Sequence, residues 1–301
     1  MMRTYRNSRT DRVFDILVYV LLIVAGLIVL YPLYFMVIAS FSDPVYTNSG
    51  QVILWPKGVS LDGYRQVFKD SRLLMGYRNS ILYSTGYMVL SVALTMLAAY
   101  PLANKKLVGR RVFNVLFVIP MYFRGGLVPT YIVVRNIGLI NNPVVVCILG
   151  ALSMFNIIIA RTYLETNIPA GLEESAQIDG ANQAQTFFKI ILPLSKPILA
   201  VLALYAFVGQ WNSYFNALMY LNNGQYYPLQ LVLRTILLTA QSLQTSQAIS
   251  IENINEMAQQ QKLADMIKYG VIVVSTAPLL IVFPFFQKYF AQGIMVGSIK
   301  G

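Results

Sequence analysis

Five stretches of this chain carry no charged residue over lengths that a soluble fold seldom sustains: Ile16–Ser42, Asn79–Asn104, Asn136–Ala160, Pro197–Leu233 and Tyr269–Gln287. Each reaches or approaches the roughly 20 residues that a helix needs to cross the hydrocarbon core of a bilayer. A sixth, Val112–Val134, is interrupted only by Arg124. Within lipid the backbone must satisfy its own hydrogen bonds, and runs this long and uniform suit helices rather than barrel strands. Composition agrees, with 56% of the 301 residues hydrophobic and 12% charged. The expected fold is an all-α integral membrane protein, one domain over 1–301, with spans at about 16–40, 80–103, 113–134, 143–163, 197–219 and 270–288.

The net charge of +11 does not call for nucleic acid, because the basic residues gather at the ends of the apolar runs and no soluble basic domain exists. It reports topology instead. Arg3, Arg6, Arg9 and Arg12 precede the first span, and Lys105, Lys106, Arg110 and Arg111 follow the second, which places both segments and both termini in the cytoplasm. Lys57, Arg65, Lys69, Arg72 and Arg78 run against that count, but their segment is long and also holds Asp43, Asp62 and Asp70. The first apolar run is longer than the roughly 7–15 residues of a signal peptide and reads as a retained anchor. The chain has no histidine and one cysteine, Cys147, so histidine catalysis, an internal disulfide and a cysteine metal site are excluded.

The connections differ in size. Residues 104–111 and 135–142 are short, whereas 41–78 and 220–269 are large and fall outside the cell by the same topology. The first large segment holds Trp55-Pro56 and an amphipathic helix from Leu61 with Tyr64, Val67 and Phe68 on one face. The second contains the Gln-, Ser- and Asn-rich stretch 241–261.

Segment 164–196 is the one sizeable cytoplasmic loop, and four of the chain's twelve acidic residues (Glu165, Glu173, Glu174 and Asp179) lie in it. Asn167-Ile168-Pro169 signals a helix start, with Glu173 and Glu174 in the early turns where the helix dipole favours anions. Asp179-Gly180 stops that helix, and Asn182 caps a second, lined by Phe187, Phe188, Ile190 and Ile191 and closed by Pro193 and Pro197. On these signals alone the unit is an interfacial hairpin joining two spans or a docking element below the membrane.

The spacing Glu174-Ser175-Ala176, Asp179-Gly180-Ala181, Ile190 and Leu192-Pro193 resembles the cytoplasmic loop motif of binding-protein-dependent ABC importer permeases, with Ser175 in place of the family's second motif residue. The resemblance implies a type I importer permease fold in which the first short helix of the loop couples to a cleft on an ATPase subunit. Glu174 and Asp179 would make polar contacts there and Gly180 would permit the turn. It also implies a second homologous permease, two ABC ATPase subunits that hold ATP and Mg²⁺, and an extracellular solute-binding protein. The chain contains no G-x-x-x-x-G-K-[ST] phosphate loop, in keeping with an engine on another polypeptide and no cofactor on this one. Gly125 through Tyr131, Trp211-Asn212 and the tail motifs from Gln287 to Gly301 are similar to carbohydrate-importer permeases, most of all those for oligosaccharides, lipo-oligosaccharides and aldouronates. A bacterial plasma membrane is the implied location. The short tail 291–301 either reaches between the ATPase subunits or is a free terminus.

Two places could touch a carbohydrate. Arg124 interrupts an apolar span beside two glycines, which marks either a structural pair or a contact with an acidic sugar. Gln210, Trp211, Asn212, Tyr214 and Asn216 combine aromatic faces with amides, as a sugar path requires and as an interfacial belt also would. Three rivals stand beside the importer reading. An ion-coupled secondary transporter is expected to carry acidic residues within its spans and often repeated halves. A membrane-embedded enzyme needs a nucleophile and base or metal ligands. An importer of the same family for a non-sugar substrate would share the docking loop.

Overall fold

A computed structural model describes residues 9–123, 125–245, 265, 267–284 and 287, and the described residues form helices and connections without a strand. Among the described residues three helices can cross a membrane by length and composition, Asp11–Ser40, Ser71–Ala103 and Ile267–Pro284. Two bent helix pairs, Arg110–Tyr122 with Leu127–Asn136 and Gln183–Leu194 with Lys196–Trp211, pass the same test together and bring the number to as many as five where each pair is one span. The 143–163 stretch is divided into Val144–Ile148 and Met154–Asn167. The break has a local cause: Gly150 adopts φ +81°, and its carbonyl accepts from the Tyr87 hydroxyl at 2.7 Å instead of continuing a helical ladder. Met154–Asn167 has 14 residues, about 21 Å of rise, shorter than the roughly 30 Å hydrocarbon core.

The described residues group into two compact units, one drawn from positions up to Lys69 and from 236–275, the other from Asp70–Thr235 and from Thr276 onward. In the first, helix Arg9–Ser40 is apolar around its whole circumference, so nothing in its pattern selects a single buried face. The chain turns at Asp43, whose carboxylate caps helix Pro44–Asn48 by accepting from the Val45 amide at 3.0 Å. Helix Asp62–Lys69 follows. Ser40 Oγ lies 2.7 Å from the Tyr64 hydroxyl, and Phe41 and Tyr64 have ring centroids 5.2 Å apart. The expected shared face of Tyr64, Val67 and Phe68 is only partly formed, since Val67 is buried while Phe68 is exposed. The buried arc runs through Gly63 and Val67, four residues apart, with Gly270 against both; Phe68 lies one residue, about 100°, beyond it.

The second unit is built around helix Ser71–Ala103, capped by Asp70. It packs mainly against Lys196–Trp211 and Met154–Asn167. Met96, Ala99, Leu102, Ile157, Ala160, Leu164, Ile198 and Leu202 form the core between them. Fully buried Ala99 and Ala160 let these backbones approach closely, the means by which helices associate in lipid, where tails compete equally for apolar contact. Towards the other end of the long helix, Asn79 donates to the carbonyls of Gln225 at 2.8 Å and Tyr227 at 3.0 Å. The Tyr83 hydroxyl donates to Tyr226, and Ser80 Oγ accepts the Leu229 amide at 2.8 Å. These polar side chains satisfy backbone groups around the single 3₁₀ turn Gly224–Tyr226 that no α-helical ladder serves.

Candidate functional site

The 164–196 segment is ordered by capping chemistry. Helix Met154–Asn167 runs on past Leu164, and Pro169, which has no N–H to leave unsatisfied, opens helix Ala170–Ile178 from an extended conformation. That helix ends in a Schellman motif: the Gly180 amide donates to Gln177 at 3.0 Å and the Ala181 amide to Ala176 at 2.9 Å. Gly180 sits at φ +80°, where a β-carbon is disfavoured. Asn182 then opens the second helix in a reciprocal capping box with Gln185, at 2.8 and 2.9 Å.

The second helix ends at Leu194, between Pro193 and Pro197, as expected. It passes through a π-turn at Phe187–Ile191 and continues as Leu192–Leu194. The chain then bends by 79° into Lys196–Trp211. Pro193 lies in the first turn of its element, where a missing N–H costs little, and Ser195 fills the break by donating both its amide and its hydroxyl to the Ile191 carbonyl. Phe187 and Ile191 are buried and key the segment into the bundle core, with Phe187 5.1 Å from the Tyr100 ring. Phe188 is exposed and Ile190 and Leu192 are half-buried, so the apolar lining is narrower than the sequence suggested.

The outward surface of the first helix consists of Glu174, Ser175, Gln177, Ile178, Asp179 and Gly180, whereas Ala176 is buried and Ala181 half-buried. Ser175 satisfies its own hydroxyl on the Gly171 carbonyl at 2.9 Å. Ile178, 86% exposed beside the Gly180 turn, is the residue that sequence reasoning missed. The available signal was an isoleucine in the last turn, after Glu173, Glu174, Ser175 and Gln177.

Charge ties this loop to the basic turn after helix Ser71–Ala103. Lys106 Nζ lies 3.0 Å from Glu174 Oε1, with both side chains largely exposed. Glu165 Oε1 pairs with Arg110 and lies 3.6 Å from Arg161 Nε, an ionic contact rather than a hydrogen bond. Arg110 Nε donates to the Leu102 carbonyl at 2.8 Å, and Arg161 Nη1 donates to Asn114 Oδ1 at 2.6 Å. The residues read from sequence as topology signals are therefore also binding partners of the loop's acids. A cleft of about 320 Å³ lies between Tyr100, Lys106, Glu165, Glu173 and Glu174, floored by Ile191.

The residues assigned to a carbohydrate path differ in burial. Gln210 is buried, and Trp211, 1% exposed, packs between Tyr77 at 6.2 Å and Phe207 at 6.0 Å. In this conformation the Trp211 ring is a core element. Asn212 is exposed, Asn216 is half-buried and Tyr214 is exposed with the Arg234 guanidinium 5.4 Å above its ring. Arg234 was not among the sequence candidates. Arg124 and the tail motifs after Gln287 lie outside the described residues. Among the described residues no three histidine, cysteine or carboxylate side chains gather as a metal would require.

Residues 91–296 match the family described as "binding-protein-dependent transport system inner membrane component". The chain is 37% identical over 292 residues to the polygalacturonan/rhamnogalacturonan transport system permease protein YtcP of Bacillus subtilis (strain 168), covering 97% of this chain and 99% of that one. It is 27% identical to the maltodextrin transport system permease protein MdxG of the same organism, covering 98% and 100%. Among solved structures it is similar to a chain of a bacterial ABC transporter involved in the import of the acidic polysaccharide alginate, with TM-score 0.84 and 33% identity over 95% of this chain and all of that one.

Proposed function

This chain belongs to the family of binding-protein-dependent transport system inner membrane components, and from that membership we propose that it forms one half of an ATP-driven pore that brings an oligosaccharide into the cell. It is a permease subunit, a multi-pass component of an ABC importer with the all-helical permease fold. The second half of the pore is a homologous permease, two ATPase subunits bind ATP and Mg²⁺ below it, and a solute-binding protein delivers the carbohydrate from outside. This chain supplies no ATPase site of its own, and the membrane is the bacterial plasma membrane. The likeness to importers of galacturonate-containing polymers and of alginate supports a uronate-bearing substrate, for which Arg124 is the cationic contact and Asn212, Tyr214 and Asn216 are the neutral ones.

The observation that carries the coupling role is the arrangement of the 170–191 segment. A short helix is held rigid at both ends by the Gly180 Schellman turn and the Asn182 capping box, while Phe187 and Ile191 anchor it in the core beside helix Ser71–Ala103. Its outward face, Glu174, Ile178 and Asp179, combines one exposed apolar knob with acids, suited to a cleft with an apolar floor and a basic rim. Closure of the ATPase subunits around ATP would push this helix as a rigid body and swing the attached spans between inward and outward access.

Purification from native membranes tests the reading. The protein is expected to bring a second permease and an ATPase with it. Gly180→Trp, whose Cβ meets no neighbour within 4 Å but which places a bulky side chain at positive φ, is expected to lose the ATPase and keep the permease. A protein that arrives alone, or keeps its ATPase in the variant, contradicts the proposal.

A further inference from the structure

The chain leaves helix Arg9–Ser40 at its end, turns at Asp43, and then doubles back along that helix. The Tyr31 hydroxyl donates to the Ile53 carbonyl at 3.3 Å, and the Tyr34 hydroxyl donates to the Leu54 carbonyl. Counting 1.5 Å per residue from Ile16, the first residue beyond the charge at Asp15, Tyr31 stands roughly 22 Å along the helix and Tyr34 roughly 27 Å. The hydrocarbon core is roughly 30 Å thick. The returning loop therefore lies at the level of the far membrane boundary, although nothing in its sequence is long enough to enter a bilayer.

At that level the loop presents an apolar outer side. Trp55 is 77% exposed, and Ile53 and Leu54 beside it are exposed as well, while Val52 is buried beneath them. Pro56 removes one amide from the backbone, and Lys57, next in sequence, is exposed. Non-helical backbone is tolerated at the edge of lipid only where its polar groups find partners. Here two consecutive carbonyls are satisfied by tyrosines of the spanning helix itself. The Lys57 amide donates to Ser42 Oγ at 3.3 Å, and the Lys57 carbonyl accepts from the Asp43 amide at 3.0 Å.

We infer that Ile53–Lys57 is an interfacial anchor seated in the headgroup boundary of the bilayer leaflet farther from Arg9, with phospholipid as its occupant. Trp55 lies flat against the ester region, where an amphipathic indole is favoured. Ile53 and Leu54 face the upper acyl chains. The Lys57 stem rises along the apolar surface so that its ammonium meets lipid phosphate. The anchor marks the depth of the first helix at its far end, as the charges from Arg9 to Asp15 do at its start.

The chain contains two tryptophans, and Trp211 is in the core, so the difference in emission between the wild type and Trp55→Phe isolates Trp55. The protein, purified with its accompanying subunits, is placed in phosphatidylcholine vesicles carrying bromine either near the ester end or near the methyl end of the acyl chain. The expected result is loss of the larger part of the Trp55 emission with bromine near the ester, a smaller loss with bromine near the methyl end, and little quenching by aqueous iodide. Strong iodide quenching without bromine quenching would place the loop in water, open to a soluble partner, and overturn the inference. Protection from both quenchers would mean that another subunit covers Trp55, and would overturn it equally. Either failure leaves the permease reading intact, because that reading does not depend on residues 53–57.

Discussion

Glu165, near the end of helix Met154–Asn167, holds Arg110 and Arg161 on one carboxylate oxygen. All three side chains are about three-quarters buried, so the carboxylate is screened less than a surface acid and its loss would leave two guanidinium groups facing one another. Glu165→Gln is expected to cost about 1–3 kcal/mol, seen as a lower unfolding temperature in detergent, because Gln keeps the shape but not the charge. Lys106→Ala, which breaks the exposed pair with Glu174, should shift the same transition by no more than about 0.5 kcal/mol. Comparable losses from both would mean that solvent screens neither pair and that burial does not separate them. Glu165 was legible in the sequence only as one of several acids in the loop. Its partner Arg110 is 55 positions away, and no local rule could have joined the two.

Helix Ser71–Ala103 carries two features whose consequences belong to the element as a whole. Its cap, Asp70, accepts from the Arg72 amide at 2.9 Å and is also gripped by the Arg72 guanidinium, which holds the Asp70 carboxyl below the ordinary carboxylate range. A carboxylate with a lowered folded-state pKa stabilises the fold at pH values above its unfolded pKa, and that contribution fades as pH falls through the lowered value. Asp70→Asn, which retains the cap but not the ion pair, should lower stability near neutral pH and flatten the acid limb of a stability-against-pH curve. An unchanged acid limb would assign the pair no role. Along the same helix, a β-carbon at Gly76 would stand 3.1 Å from the Leu229 backbone, whereas one at Gly86 would meet only Cys147 Sγ at 3.5 Å. Gly76→Ala must therefore displace helix Leu229–Thr245 and is expected to cost about 1–3 kcal/mol. Gly86→Ala should be neutral or stabilise by up to about 1 kcal/mol through helix propensity, and thermal unfolding of the pair compares them directly. The apolar run revealed that this helix exists. Which of its glycines is in close contact depended on what lay opposite.

At the scale of the whole molecule, the number of crossings decides which parts share a side of the membrane. Residue 50 follows the first span and residue 178 follows the fourth predicted one, so six crossings place them on opposite sides. If the divided segment 143–163 did not cross, both would lie on the same side. The single native cysteine, Cys147, makes the experiment accessible: in a Cys147→Ser background, Gly50→Cys and Ile178→Cys supply one exposed thiol each. An impermeant maleimide applied to intact cells is expected to label position 50 at once and position 178 only after the membrane is opened. Labelling of both from outside would reduce the count to five and require another account of how the 164–196 loop meets an ATPase.

The residues themselves determined that this chain lies in a membrane, that its segments are helical, and that 164–196 is a capped helix, a glycine turn and a second capped helix. Hydrophobicity and capping are decided within a few neighbouring residues, so Gly180, Asn182 and Pro169 act as their types predict. Tertiary structure decided the rest. It set a 79° bend between Pro193 and Pro197, packed Trp211 in the core between Tyr77 and Phe207, assigned the basic turn to the loop's acids, and laid the Ile53 and Leu54 carbonyls against Tyr31 and Tyr34. Each outcome depends on which distant surface fills the space next to a side chain, and that is settled only when the helices meet.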